Sequence, residues 1–198
     1  SKMDRLELEK RIDNIKKTVK ATRLPNVYVL LGEMHDLDIN ELYNHPKVKA
    51  MVSLTKGEGF GRPLLEFTLT GKPLITTNWS GHTDFLHPDY TTLLGGELKE
   101  IHPSAQVENI LIKGSSWFSA DAGEVAYAFK DSFENYKKYK EKGRKQAHHS
   151  KTNFSFEKMQ ELLDSILDKN IPEFPKEVKL QLPKLKKVGE TQASTELP

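Results

Sequence analysis

Glu58 and Glu66 flank the second half of a glycine-rich stretch, Lys56-Gly57-Glu58-Gly59-Phe60-Gly61-Arg62-Pro63-Leu64-Leu65-Glu66. A carboxylate only accepts hydrogen bonds, which suits it to a pair of neighbouring hydroxyls such as those of a ribose or a hexose. The alternating Gly57, Gly59 and Gly61 permit positive φ and a close approach of backbone to ligand. Pro63 fits the first turn of a helix, where its missing N–H would be unpaired anyway, and a helix start offers amides and a positive dipole end to an anion. The chemistry is that of an extended ligand with two hydroxylated rings and phosphate between them. Taken alone, the residues leave a plainer reading open, with Glu58 solvated in a loop and Glu66 an ordinary first-turn glutamate favoured by the dipole.

Such a turn needs a strand before it and a helix after it. Val48, Ala50, Met51, Val52 and Leu54 supply a short apolar run, predicting a strand near Lys49–Leu54, and Gly71 closes the helix that Pro63 opens. Further strands are predicted at Val27–Leu31, Leu74–Thr77, Thr91–Leu94 and Ile110–Ile112, with a short helix around Ile39–Asn44. Leu8, Ile12, Ile15 and Val19 recur at helical spacing, predicting an amphipathic first helix that covers one sheet face. A long helical tract is predicted from Trp117-Phe118-Ser119-Ala120-Asp121 onward, with Val125, Ala128, Phe129, Phe133 and Tyr136 on one face. Phe156, Met159, Leu162, Leu163 and Ile166 mark a final helix. Alternating strands and helices give a parallel sheet with helices on both faces, which takes ligands at the carboxyl ends of its strands.

The stretch Glu58-Gly59-Phe60-Gly61-Arg62-Pro63-Leu64-Leu65-Glu66, followed by Gly71-Lys72-Pro73 and a strand, resembles the Glu-x7-Glu signature of retaining glycosyltransferases of the GT-B fold, particularly family 4, or group 1. The resemblance extends from about Leu24 to Leu167: Asn26-Val27 through Gly32 is similar to an early strand of that family, Leu42-Tyr43 to the helix before the signature, and Phe154-Ser155-Phe156 to the start of its closing helix. Two positions depart from the pattern, Arg62 in place of an aliphatic residue and Asp84 in place of a glutamate. The resemblance implies a Rossmann-like donor-nucleotide domain, one half of a GT-B architecture. It implies Glu58 as the catalytic-site carboxylate, Gly59, Phe60, Gly61, Arg62 and Glu66 as donor contacts, and backbone near Met34 against the nucleobase. The implied donor is a nucleoside-diphosphate sugar, with no cofactor or metal required. The family's basic "G-R" and "K-G" strand-turn segment and its acceptor-binding domain are not found in this chain, so the expectation is a half that is incomplete at its N-terminus and completed by an N-terminal acceptor domain or partner subunit.

Composition agrees with one such half. A chain of 198 residues suffices for one domain with a core, here read as residues 1–168, followed by an extended or disordered tail over 169–198 in which Val178, Leu180 and Leu182 alternate. Thirty basic residues balance 28 acidic ones, and the lysines of 137–145 read as a solvated helix face, so no nucleic-acid partner is expected. Cysteine is absent and no apolar run reaches membrane-spanning length, predicting a soluble, cytoplasmic protein. The adjacent His148 and His149 point in different directions on a helix and read as solvated or capping, not as a metal pair. His82 and Trp79, near the expected donor sugar, are open between ligand contact and packing. Two other functions stay in view: a noncatalytic nucleotide-sugar-binding or assembly subunit, and a dinucleotide-binding oxidoreductase domain. The latter needs G-x-G-x-x-G after the first strand, whereas the spacing here is G-x-G-x-G in a later one.

Overall fold

A computed structural model describes residues 2–172. The chain divides into two compact units, Ser1–Phe156 and Glu157–Pro198. In the first, three parallel strands, β1 (Met51–Ser53), β2 (Leu74–Thr77) and β3 (Thr92–Leu94), form a sheet in that order, with Met51 opposite Leu74 and Ile75 opposite Thr92. Side chains alternate across a strand, so adjacent residues of β2 serve different layers. Leu74, with Met51 and Leu93, packs on Leu64 of helix α3 (Arg62–Thr68) and on Phe85 and Leu86. Ile75, with Leu94, packs on Val125 and Ala128 of helix α4 (Ala122–Glu134). This is the expected parallel α/β sheet flanked by helices, with strands at three of the five expected places.

Two expected strands are absent. Val27–Leu31 carries apolar side chains yet pairs with nothing in the sheet and is exposed throughout, because a strand holds only when a neighbouring edge satisfies its backbone groups. Ile110–Ile112 makes only an isolated antiparallel bridge, Val107 with Leu111, inside a turn. The helical tract also begins later than predicted. Ser116–Ala120 is strand β5, paired antiparallel with β4 (Gly96–Glu100), and Asp121 caps α4 by accepting from the Glu124 amide at 2.8 Å. Asn135 then interrupts the tract, and helix α5 runs Tyr136–Asn153. Phe129 and Phe133 lie outside the core, being exposed, while Ala128 is buried.

Helix α1 (Lys2–Thr18) does not cover the sheet as predicted; Ile15 and Val19 are exposed, and its residues share a groove with Val27–Leu31 instead. Helix α2 (Asp36–Asn44) ends where Lys72 Nζ donates to the carbonyls of Tyr43 and His45 at 2.5 and 2.8 Å, a cation on the negative end of a helix. Burial, then the nearby Lys49, lowers the Lys72 pKa. The buried face of α5 joins Tyr139, Gly143 and Ala147 to the polar Gln146 and Ser150. Gln146 accepts from the His87 amide and the Thr91 hydroxyl through Oε1, and donates to Phe85 O and Ser150 Oγ through Nε2. Thr68 Oγ1 in turn meets Ser150 Oγ at 2.8 Å, fastening α5 to α3. Helix α6 spans Phe156–Asn170, all but its first residue in the second unit, with no buried residue. The expected tail, with Val178, Leu180 and Leu182, lies outside the described residues from 173 onward. Among those described, no helix is long and apolar enough to cross a membrane.

Candidate functional site

The glycine loop leaves the carboxyl end of β1, and the Asn78–Ser80 loop leaves the carboxyl end of β2 alongside it. The two are stitched together at Glu58. The Glu58 amide donates to Ser80 Oγ at 3.1 Å, the Ser80 hydroxyl donates to Glu58 O at 2.6 Å, and the Gly81 amide donates to the same carbonyl at 3.0 Å. Closeness of the two chains dictates glycine at 81, where a Cβ would stand 1.9 Å from Gly59 O. Ser80 itself is held at φ 82°, ψ −173°, a region otherwise almost reserved for glycine and costing a side-chain-bearing residue about 1–3 kcal/mol. Three bonds therefore fix the Glu58 backbone, while its half-buried side chain has no hydrogen bond or ion pair among the described residues.

Gly61 is the hinge into α3. Its φ of 84° is left-handed, and a Cβ there would stand 2.9 Å from His82 Cβ. His82 is fully buried beneath it; Nε2 donates to Thr77 O at 2.7 Å, and Nδ1 is buried without a partner among the described residues. Of the two readings of His82, packing is the one the structure takes. Phe60 leans on Phe85, ring centroids 5.2 Å apart, and stays part-exposed at the loop tip. The expected row of free helix amides is shorter than the sequence reading implied. The Leu64 and Leu65 amides both donate to Gly61 O, at 2.9 and 3.2 Å, and Pro63 has none. What remains for an anion is the turn ahead of Pro63, not the helix proper.

Arg62 and Glu66 come together, Nε to Oε1 at 2.6 Å, one helical turn apart. The hydrogen bond from Arg62 to Glu66, and then the charges of Glu66 and Asp36, hold the guanidinium pKa above its ordinary value. Glu66 also faces a cleft of about 400 Å³ between α2 and α3, lined by Ile39, Asn40, Tyr43, Arg62 and Lys151. Burial, and then the Glu66 charge, raises the Tyr43 phenol pKa. Glu58 does not line this cleft, and Met34 is half-buried in the segment before α2, outside it as well. Trp79 stacks on Phe118 of β5, planes within 4° and centroids 5.7 Å apart, so its ring is engaged in packing. Sequence reasoning missed Ser80 and Gly81 as partners of Glu58; the signal available was the Ser-Gly pair in the loop after the second strand.

The family profile described as "Glycosyl transferases group 1" matches residues 8–116, more than half of the chain and all of the loop region above. The chain belongs to the group 1 glycosyl transferases. No curated protein matches it. Two crystal structures of Anabaena HepE, one in complex with UDP-glucose and one with UDP and glucose, are similar at 16% identity and a TM-score of 0.48. Each similarity covers 67% of this chain and 30% of HepE, so this group 1 chain spans less than a third of those relatives.

Proposed function

We propose that the chain is the donor-nucleotide half of a retaining, GT-B glycosyltransferase, transferring sugar from a nucleoside-diphosphate sugar to an acceptor held by an N-terminal domain or partner subunit. The observation that carries the reading is the stitched pair of loops at the carboxyl ends of β1 and β2, which presents the Glu58 carboxylate, without a partner among the described residues, at the place where parallel sheets hold ligands. Family membership supports the reaction class. Glu66 receives the ribose hydroxyls in the α2–α3 cleft, and Glu58 orients the donor sugar. As the sugar–oxygen bond breaks, negative charge grows on the departing diphosphate; Arg62 and the amides of Phe60 to Arg62 stabilise it, and the acceptor hydroxyl supplies the new oxygen and gives up its proton to the departing diphosphate. Backbone near Met34 completes the nucleobase contact, and the absence of cysteine supports a cytoplasmic setting. The reading of a noncatalytic nucleotide-sugar-binding subunit uses the same contacts and differs only in turnover. Calorimetry of the chain with UDP, GDP and ADP, alone and as their sugar conjugates, tests the proposal; absence of binding by all of them overturns it.

A further inference from the structure

We infer that Ser80 is a positioning residue for Glu58, holding it ready for the donor sugar at the expense of its own backbone conformation. The inference rests on the proposed donor site and adds a residue to it. Three observations converge. The Ser80 hydroxyl makes both side-chain bonds to the Glu58 backbone, accepting from N at 3.1 Å and donating to O at 2.6 Å. Its φ of 82° with ψ −173° lies in glycine territory, although glycines stand at 57, 59, 61 and 81 around it, so a side chain is kept where the backbone disfavours one. The strain also has a direct use: with Ser80 turned this way, Gly81 can press against Gly59 O and give its own amide to Glu58 O. Held at its backbone, Glu58 has less main-chain freedom left to lose on binding, and its carboxylate has no partner among the described residues.

Two substitutions separate positioning from stability. Ser80→Ala keeps the disfavoured φ and removes both hydroxyl bonds, while Ser80→Gly removes the bonds and relieves the backbone. Thermal unfolding should therefore place the alanine variant below the parent and the glycine variant at or above the alanine one. The decisive reading is the sugar increment, the ratio of dissociation constants for UDP and UDP-glucose, repeated with GDP and GDP-mannose and with ADP and ADP-glucose. Both Ser80 variants should lose about 5–10-fold of that increment, the effect of one hydrogen bond, with affinity for the bare diphosphate unchanged. Glu58→Gln is the reference and should lose it too. If the better-folded Ser80→Gly keeps the parent's increment while Glu58→Gln loses it, the positioning role is wrong and the donor site stands. If no diphosphate or conjugate binds the parent, the proposed function fails, and the Ser80 role falls with it.

Discussion

Glu66 and Arg62 each carry a proposed donor contact, yet they hold one another at 2.6 Å on the exposed side of α3. An exposed pair of this kind is screened by solvent and contributes little, so opening or sharing it for a ligand costs little. Glu66→Gln should weaken binding of whichever nucleoside diphosphate the parent takes by about 1.5–3 kcal/mol, the scale of a charge-assisted hydrogen bond, with calorimetry as the measurement. Arg62→Met should weaken the same binding most at low salt, because its partner is the diphosphate charge. If Arg62→Met binds as well as the parent while Glu66→Gln does not, Arg62 serves only to hold Glu66. The pairing of Arg62 with Glu66 was legible because their spacing is local and spans one helix turn. Ser80 and His82 were not, because their partners at Glu58, Thr77 and Gly61 come from other segments, and a positive φ at a serine leaves no trace in composition.

Helix α5 shows where reading elements from sequence stops. Its lysines marked a solvated face, but the opposite face is buried through Tyr139, Gly143, Gln146, Ala147 and Ser150, a mixture of polar and small residues with one aromatic that carries only a weak hydrophobic period. Val27–Leu31 fails in the reverse way, a good strand pattern without an edge to join. Gly143 makes a test of packing against propensity. A Cβ there would meet the carbonyl carbon and oxygen of Lys72 at 2.7 Å and Gly71 O at 2.8 Å. Gly143→Ala should therefore lower stability by about 1–3 kcal/mol in denaturant titration, although alanine is the better helix former by about 1 kcal/mol. A rise in stability would mean that α5 lies farther from the Gly71–Lys72 turn. His149 adds a pH dependence. It sits among His87, Tyr90, Asn153 and Phe154, and burial, then the neighbouring His87, lowers its pKa below 6.5. The unfolded chain then binds the proton more readily, so this contribution is fully present above about pH 6.5 and is lost as pH falls through the lowered folded value. The fall in Tm from pH 7 to pH 5 should be smaller in His149→Gln than in the parent; an equal fall would place the acid sensitivity elsewhere.

At the scale of the whole molecule, the proposal separates donor binding from sugar transfer. Three of the contacts assigned to the donor, Glu58, Arg62 and Glu66, come from one loop and one helix beside a three-stranded sheet, and the backbone near Met34 comes from the segment before α2. Transfer needs more, since the acceptor hydroxyl must be fixed against the sugar and water kept out. Effective molarities of about 10⁵ M or more arise only when both reactants are held, worth at least about 7 kcal/mol of barrier. The proposed acceptor half would supply the second holding surface. Purified chain should therefore gain stability from a bound nucleotide sugar, about 2.7 kcal/mol at a hundredfold excess over Kd, which for a chain of this size is a rise in Tm of roughly 5–10 °C. The same sample should show no transfer to a panel of sugar, lipid and peptide acceptors, and at most slow hydrolysis of the donor. Adding a separate acceptor half that restores transfer, with loss on Glu58→Ala, would tie the two activities to one site. Robust transfer by the chain alone, abolished by Glu58→Ala, would instead make these residues a minimal enzyme, with the acceptor held by surfaces this chain already carries.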